Sequence, residues 1–349
     1  MPNIFLAFIL VVAFAAIRYR KIIHICFLGI AYFFSLRNEL IPDTEAYMRM
    51  YEDPFHLGFQ ETFEYVFLII CYLFKSITGA EFSLFYYVLT FFCLELWGAI
   101  TNKLFQNDEN INRIFLLFIS FYGFFYLGVT IRNAVSLLVV YYALVKFIQE
   151  KGRRKTMSYC IWVVIASLFH ISALIYLFLI PIYKLRFSSK QLIYLWGISI
   201  FLLSFSSVVF AQGLVSQLSQ LALLSKLEGY TDEAEMYTHA FSLQTITSLL
   251  VSIIAFTQKK HIAKAYWQIY NIFTNINVVG LIVLSLLWMI PVSYRFYGMF
   301  FFFNFVLLYI SFYYNVSIKK KTVRLLCTFG ISVVYFASLI YCNSFLLNY

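Results

Sequence analysis

Apolar residues in this chain fall in long unbroken runs, and the polar residues gather in the gaps between them. The runs predict helices over residues 3–17, 22–36, 82–101, 114–130, 133–149, 156–169, 171–184, 191–211, 241–257, 268–290, 296–316 and 323–343. Runs of roughly 14 to 23 residues match a hydrocarbon layer about 30 Å thick, the shorter ones with help from flanking residues that snorkel. None alternates in segments of about ten residues, as the strands of a transmembrane barrel do. The pattern predicts an all-α, polytopic integral membrane protein of about 12 transmembrane helices, read as a single transmembrane domain over 1–349.

The gaps carry the orientation. Arg18, Arg20 and Lys21, then Lys151, Arg153, Arg154 and Lys155, then Lys184, Arg186 and Lys190 occupy short gaps, as do Lys259, Lys260 and Lys264 and the group Lys319, Lys320, Lys321 and Arg324. With Lys103 and Arg113, these fall on one face if every run crosses once, and that face is expected to be cytoplasmic. Segment 64–78 is also apolar, but counting it as a crossing would send 151–155 to the other side. It is therefore expected to be a re-entrant or interfacial helix, with Lys75 snorkelling at its end. Two longer loops, 37–62 and 212–240, then face outward. In the first, Tyr47, Met48, Tyr51 and Phe55 recur at helical spacing and predict a short helix that covers the outward side as a lid. In the second, 214–227 is amphipathic and suits an interface.

Composition narrows the class. Of 349 residues, 62% are hydrophobic and 12% charged, against about 25% charged in ordinary soluble domains. That excludes a cytosolic enzyme, a secreted domain and a disordered chain. The net charge of +10 sits in the loops and forms no solvated basic face with stacking aromatics, so no nucleic-acid partner is expected. Cys26, Cys71, Cys93, Cys160, Cys327 and Cys342 share no C-x-x-C spacing and read as small buried hydrophobes. The first run has no basic region before it and no small-residue cleavage site after it, so no cleavable signal peptide is expected.

The residues with chemical potential are the charges that escape the cytoplasmic pattern. Arg132 lies in Gly128-Val129-Thr130-Ile131-Arg132-Asn133, Arg295 in Pro291-Val292-Ser293-Tyr294-Arg295-Phe296-Tyr297, and Arg37 closes the second run. All three are expected at the outer face. A charge beside a span is costly, about 3 kcal/mol on insertion scales, and marks a functional site by default. The planar guanidinium fork matches phosphate oxygens, so converging arginines would clamp a pyrophosphate. The bland alternative is that each arginine snorkels to lipid headgroups or pairs with a carboxylate. His170, where one run turns into the next, is a candidate proton acceptor or a structural cap, with Asp43 and Glu64 as the other bases. The chain has no Asp-x-Asp pair, no P-loop, no His-Cys cluster and no G-x-S-x-G. No metal and no cofactor is expected. Transfer from an already activated lipid-linked donor, or transport, is the chemistry left.

An ordered set of motifs resembles the EpsG-like branch of Wzy-type polysaccharide polymerases: Arg37 with Pro42-Asp43-Thr44, Tyr47 and Tyr51, then Phe63-Glu64-Tyr65, Ile131-Arg132-Asn133-Ala134, Leu168-Phe169-His170-Ile171-Ser172-Ala173, and Tyr294-Arg295-Phe296-Tyr297. The chain departs from that pattern in carrying Ile41-Pro42 where the family has Val-Gly. The resemblance implies a GT-C-like, metal-independent, inverting membrane glycosyltransferase in the bacterial plasma membrane, multi-pass, its active site facing the periplasm or outside. It implies that the enzyme polymerises undecaprenyl-pyrophosphate-linked oligosaccharide repeat units of O-antigen or exopolysaccharide, with membrane lipid and a chain-length regulator protein as partners. It assigns Arg132, Arg295 and Arg37 to the pyrophosphate, His170 or Asp43 to proton transfer, and Tyr47, Glu64, Tyr294 and Tyr297 to the sugars. A flippase for lipid-linked oligosaccharide and an O-antigen ligase-like transferase are the alternatives.

Overall fold

The computed structural model describes residues 4–17, 22–54, 65–106, 110–152, 154–205, 242–288 and 293–348. They cluster into two compact units, one of residues 1–180 with 328–349 and one of 181–327. The first holds α1 (Ile4–Ala16), α2 (Ile23–Ser35), α3 (Thr44–Glu52), α4 (Tyr65–Thr78), α5 (Phe82–Leu104), α6 (Ile111–Phe118), α7 (Phe124–Gly128), α8 (Ile131–Gln149) and α9 (Arg154–Ser167). A 3-10 helix over Ile171–Phe178 and the short α10 (Leu179–Ile182) follow. The second holds α11 (Ser189–Phe205), α12 (Leu243–Gln258), α13 (Trp267–Leu287), α14 (Ser293–Phe301) and α15 (Asn304–Tyr313), and α16 (Lys321–Cys342) closes the series. Among the described residues there is no strand, and one isolated antiparallel bridge joins Ile262 to Asn315.

Among the described residues, five helices are long and apolar enough to cross a membrane: Phe82–Leu104, Ile111–Gly128, Ile131–Gln149, Lys264–Leu286 and Lys321–Cys342. Shorter apolar helices take up other predicted runs, among them Ile4–Ala16, Ile23–Ser35 and Ser189–Leu203. The protein is thus an all-helical polytopic membrane protein. The expected short helix in 37–62 is α3, with Tyr47 and Tyr51 almost fully buried. Phe55, the loop 212–240 and its amphipathic stretch 214–227 lie outside the described residues.

Three runs differ in detail from uniform α-helix. Run 171–184 begins as the 3-10 helix. Pro181 cannot donate to the carbonyl of Leu177, and a residue before proline is steered away from α geometry. The Tyr159 hydroxyl donates to the Tyr176 carbonyl at 2.9 Å, supplying a partner from a neighbouring helix. Run 114–130 contains a π-helical turn, Ile119–Gly123, between α6 and α7. A Cβ at Gly123 would stand 2.3 Å from Cδ1 of Ile119, so a side chain there would require Ile119 to move. Run 296–316 is broken at Phe302 and Phe303, which separate α14 from α15.

Packing in the first unit is dominated by rings: Trp97 stacks on Phe118 at 5.0 Å and meets Phe27 edge-on at 6.3 Å. Polar side chains stitch helices together where apolar burial gives little drive between spans. Asn112 donates to the Ile17 carbonyl (2.8 Å), Ser136 to Ala166 (3.0 Å), and His24 pairs with Glu95 across α2 and α5 (2.7 Å). In the second unit, Asn275 donates to the carbonyls of Ile182 and Leu185 (2.8 and 3.1 Å), and Asn277 to Oδ1 of Asn304 (2.7 Å). Lys259 reaches the carbonyl of Phe187, and burial followed by the charge of Arg186 pulls its amine below the usual lysine range. Two of the basic loops that share a face by parity therefore lie side by side.

The asparagine pair gives a stability prediction. Asn277→Leu alone removes an interhelical bond and strands Asn304, costing about 1–3 kcal/mol. Replacing both with Leu is expected to recover most of that loss. Thermal unfolding of the three variants in one detergent measures it, and equal losses in single and double variants would count against the pair as a lock.

Candidate functional site

The first unit sorts its charges by end. At one end α5, α8 and α9 carry lysines and arginines. Gln149 of α8 donates to the Lys103 carbonyl of α5 at 2.9 Å, and Lys155 lies 4.7 Å over the ring of Phe147. At the other end α2 stops, α5 starts, α7 stops, α8 starts and α9 stops. Arg37, Asp43, Tyr47, Arg132 and His170 all belong to that second end.

Arg37 follows α2 directly and is buried, 9% exposed. Its Nε donates to Oγ1 of Thr44 at 2.8 Å and its Nη2 to the Pro42 carbonyl at 2.9 Å. Its guanidinium carbon lies 4.6 Å from the centroid of the Tyr86 ring and 5.4 Å from that of Tyr47. The segment 37–44 is thereby folded around the arginine. Asp43 takes φ 64° and ψ −3°, a left-handed conformation that costs most side chains energy and that Asp and Asn tolerate best after Gly. That turn directs the chain into α3.

Tyr47, one turn into α3, joins Arg37 to Arg132. The Arg132 guanidinium carbon lies 5.2 Å from the Tyr47 centroid and 5.8 Å from that of Phe67, and its N–H donates to the Tyr47 hydroxyl. Burial pushes the Tyr47 phenol above its usual value. The nearby Arg132 opposes the shift and Asp43 adds to it. The phenol therefore stays protonated at cellular pH. With its oxygen accepting from Arg132, its own proton is left to donate to another acceptor.

The far end of α3 is tied as well. The Tyr51 hydroxyl donates to the Ala80 carbonyl at 2.6 Å, and its ring stacks on Phe85 at 4.9 Å. Lys75, expected only to snorkel, donates to the carbonyl of Glu52 at 3.0 Å, where a cation favours a helix C-terminus. His170 is half-buried and extended (φ −156°) ahead of the 3-10 helix. Its N–H and the Ser136 hydroxyl share the Ala166 carbonyl, at 3.2 and 3.0 Å, which sets its turn against the first turns of α8.

The other sequence candidates are placed as follows. Glu64 lies outside the described residues. Tyr294 and Arg295 belong to α14 of the second unit, where the backbone alone is described. Tyr297 is buried there, edge-on to Phe301 at 6.2 Å. Among the described residues no three His, Cys, Asp or Glu side chains come together as a metal site would require. Sequence reasoning missed Tyr86 and Phe67. Each sits in an apolar run among many rings, and nothing in the residue order sets them apart.

A half-buried arginine held against a tyrosine at the end of a helical unit has the donors that an anion would need. The class defined so far is a multi-pass helical membrane protein with an arginine–tyrosine site at one end of its first unit. The chain belongs to the EpsG family, whose model matches residues 20–349, nearly the whole chain. The EpsG-like family is a Wzy-type polymerase family, which suggests a membrane polysaccharide polymerase role and a membrane-embedded lipid-linked sugar substrate. No curated protein and no solved structure matches the chain.

The left-handed turn separates two roles for Asp43. Asp43→Gly and Asp43→Asn keep the turn accessible and are expected to retain at least half of the polymerising activity. Asp43→Val, which disfavours positive φ by about 1–2 kcal/mol, is expected to lose most of it. Polymer-length analysis reads the outcome. Inactive Gly and Asn variants with α3 still folded would make the carboxylate itself the reacting group.

Proposed function

We propose that this protein polymerises undecaprenyl-pyrophosphate-linked oligosaccharide repeat units of O-antigen or exopolysaccharide at the outer face of the bacterial plasma membrane, without a metal. The observation that carries the reading is the Arg132 guanidinium held against Tyr47 at the end of the first unit away from Lys103 and Lys155. An acceptor sugar hydroxyl attacks the anomeric carbon of the donor's reducing-end sugar. The bond from that carbon to the pyrophosphate oxygen breaks, the charge passes to the leaving pyrophosphate, and one displacement inverts the anomeric centre. Arg132 stabilises that charge as it develops. His170 accepts the hydroxyl proton. Tyr47 and Glu64 position sugars, and a chain-length regulator sets how many units are added.

The test is purified protein in lipid nanodiscs with defined lipid-linked repeat units and EDTA. A ladder of longer lipid-linked products is expected. Movement of the substrate across vesicles without lengthening would replace the proposal with a flippase. Transfer of glycan to a non-repeat acceptor would replace it with a ligase.

Arg132→Ala and Arg132→Lys sharpen the test. Losing one charge-assisted bond of about 1.5–3 kcal/mol slows the reaction roughly tenfold to more than a hundredfold. Lysine is expected to fail nearly as badly as alanine, because a point charge cannot reproduce the fork. Full activity in the lysine variant at equal expression would mean that Arg132 only anchors the helix to headgroups.

A further inference from the structure

Arg37 invites the same role as Arg132, because both are arginines at one end of the same unit. Its geometry differs. Both of its hydrogen bonds described above go to its own segment, to Thr44 at 2.8 Å and Pro42 at 2.9 Å. Its flat face lies over Tyr86, at 4.6 Å. The Tyr86 hydroxyl in turn donates to the Leu127 carbonyl at 2.6 Å, in the last turn of α7, immediately before the segment that starts α8 and carries Arg132. Arg37 also lies 5.4 Å from the ring centroid of Tyr47, which holds the Arg132 guanidinium. Arg37 therefore touches both supports of Arg132: the ring it rests on, and the tyrosine that fixes the turn from which it projects.

We infer that Arg37 is a positioning residue, a clasp that locks α3 and the α7–α8 turn in register so that Arg132 is presented to the anionic leaving group, and that it does not itself bind the substrate. The inference rests on the proposed role of Arg132 as the phosphate ligand. The chemistry suits the task. A guanidinium has five donors fixed in one plane and a face that stacks on rings, so one side chain can bond a hydroxyl and a carbonyl at its edge while packing two aromatics. A lysine has no such plane. Thr44 is bound to the task as well, since its hydroxyl is the acceptor for Nε.

The clasp is tested by variants that never touch a phosphate. Thr44→Val removes the acceptor and keeps the shape. Thr44→Ser restores the hydroxyl. Tyr86→Phe keeps the ring under Arg37 and removes the bond to Leu127. Arg37→Gln removes the clasp itself. Two readouts are taken on each protein in nanodiscs: polymerisation rate, and the rate of trypsin cleavage after Arg49, which lies exposed on α3 and is cut only when that helix opens. An Arg49→Gln control identifies the band.

Thr44→Val and Arg37→Gln are expected to speed cleavage about tenfold and to slow polymerisation by a similar factor, as loss of a bond to a charged group implies. Tyr86→Phe is expected to slow polymerisation several-fold. Thr44→Ser is expected to behave as the parent, and Arg37→Gln with Thr44→Val no worse than Arg37→Gln alone. If Thr44→Val keeps parental activity and cleavage while Arg37→Gln is inactive with α3 still protected, Arg37 is a direct ligand and the inference falls. If the parent protein lengthens no lipid-linked substrate, the proposed function falls, and the cleavage rates still decide whether Arg37 clasps α3.

Discussion

A guanidinium taken out of bulk water must be resolvated by whatever the fold can bring to it, and that requirement organises the site end of the first unit. Arg37 is buried in a chain where 12% of residues are charged. Its desolvation is offset by a hydroxyl, a main-chain carbonyl and two aromatic faces. None of these is adjacent in sequence, apart from the pair within 42–44. The chain after α2 has to turn back on itself to deliver Thr44 and Pro42, and α5 has to stand close enough to deliver Tyr86. Remove the cation, and little remains to hold a polar loop against an apolar helix end.

The same requirement explains why α3 behaves unlike a surface loop. Its buried side is Thr44, Tyr47 and Tyr51, and its exposed side pairs Glu45 with Arg49. Thr44 and Tyr47 serve the arginines, and Tyr51 serves the far end with Lys75 and Ala80. A segment so tied is a fixed wall. The sequence predicts a helix more ordered than its polarity suggests, and the bonds at Thr44, Glu52 and Tyr51 supply that order, those to charged groups being worth about 1.5–3 kcal/mol each. For an anion site this is an asset, because donors fixed in advance need no reorganisation when charge develops.

Much of this was legible in residue order, and the limit has a physical form. Unbroken apolar runs mark α5, α8 and α16, because a helix in lipid must hide its backbone and can do so only along a continuous stretch. Three- and four-residue spacing located α3 through Tyr47 and Tyr51. Arginines stranded in apolar surroundings pointed to Arg37 and Arg132. What order could not carry is which of many rings a cation rests on. Tyr86 and Phe67 look like any other aromatic in a chain with 41 Phe and 28 Tyr. Nor could it show that the fork of Arg37 is turned toward Thr44 and Pro42, since that depends on a single left-handed residue. The π-helical turn at Ile119–Gly123 was hidden for the same reason: one extra residue in a turn leaves the apolar run unbroken.

The turn at Asp43 shows how local and distant constraints meet. Pro42 has no N–H, but its carbonyl is an acceptor for Arg37, so the residue that stiffens the loop also helps solvate the cation. Asp43 then takes positive φ, which reverses the chain into α3 and brings the Thr44 hydroxyl to Nε. A glycine just ahead of the aspartate, the pattern from which this chain departs, would place the conformational freedom one residue earlier. Here that position is a proline, whose ring restrains φ to about −65°, and the left-handed step falls on the aspartate itself. The carboxylate is close enough to Tyr47 to raise the phenol's pKa further and oppose the pull of Arg132. Asp43 thus acts on the site in two ways, as the hinge point of the backbone and as a fixed negative charge beside a neutral phenol. The charge helps keep the proton on Tyr47, whose oxygen accepts from Arg132 while its ring lies near both guanidinium groups.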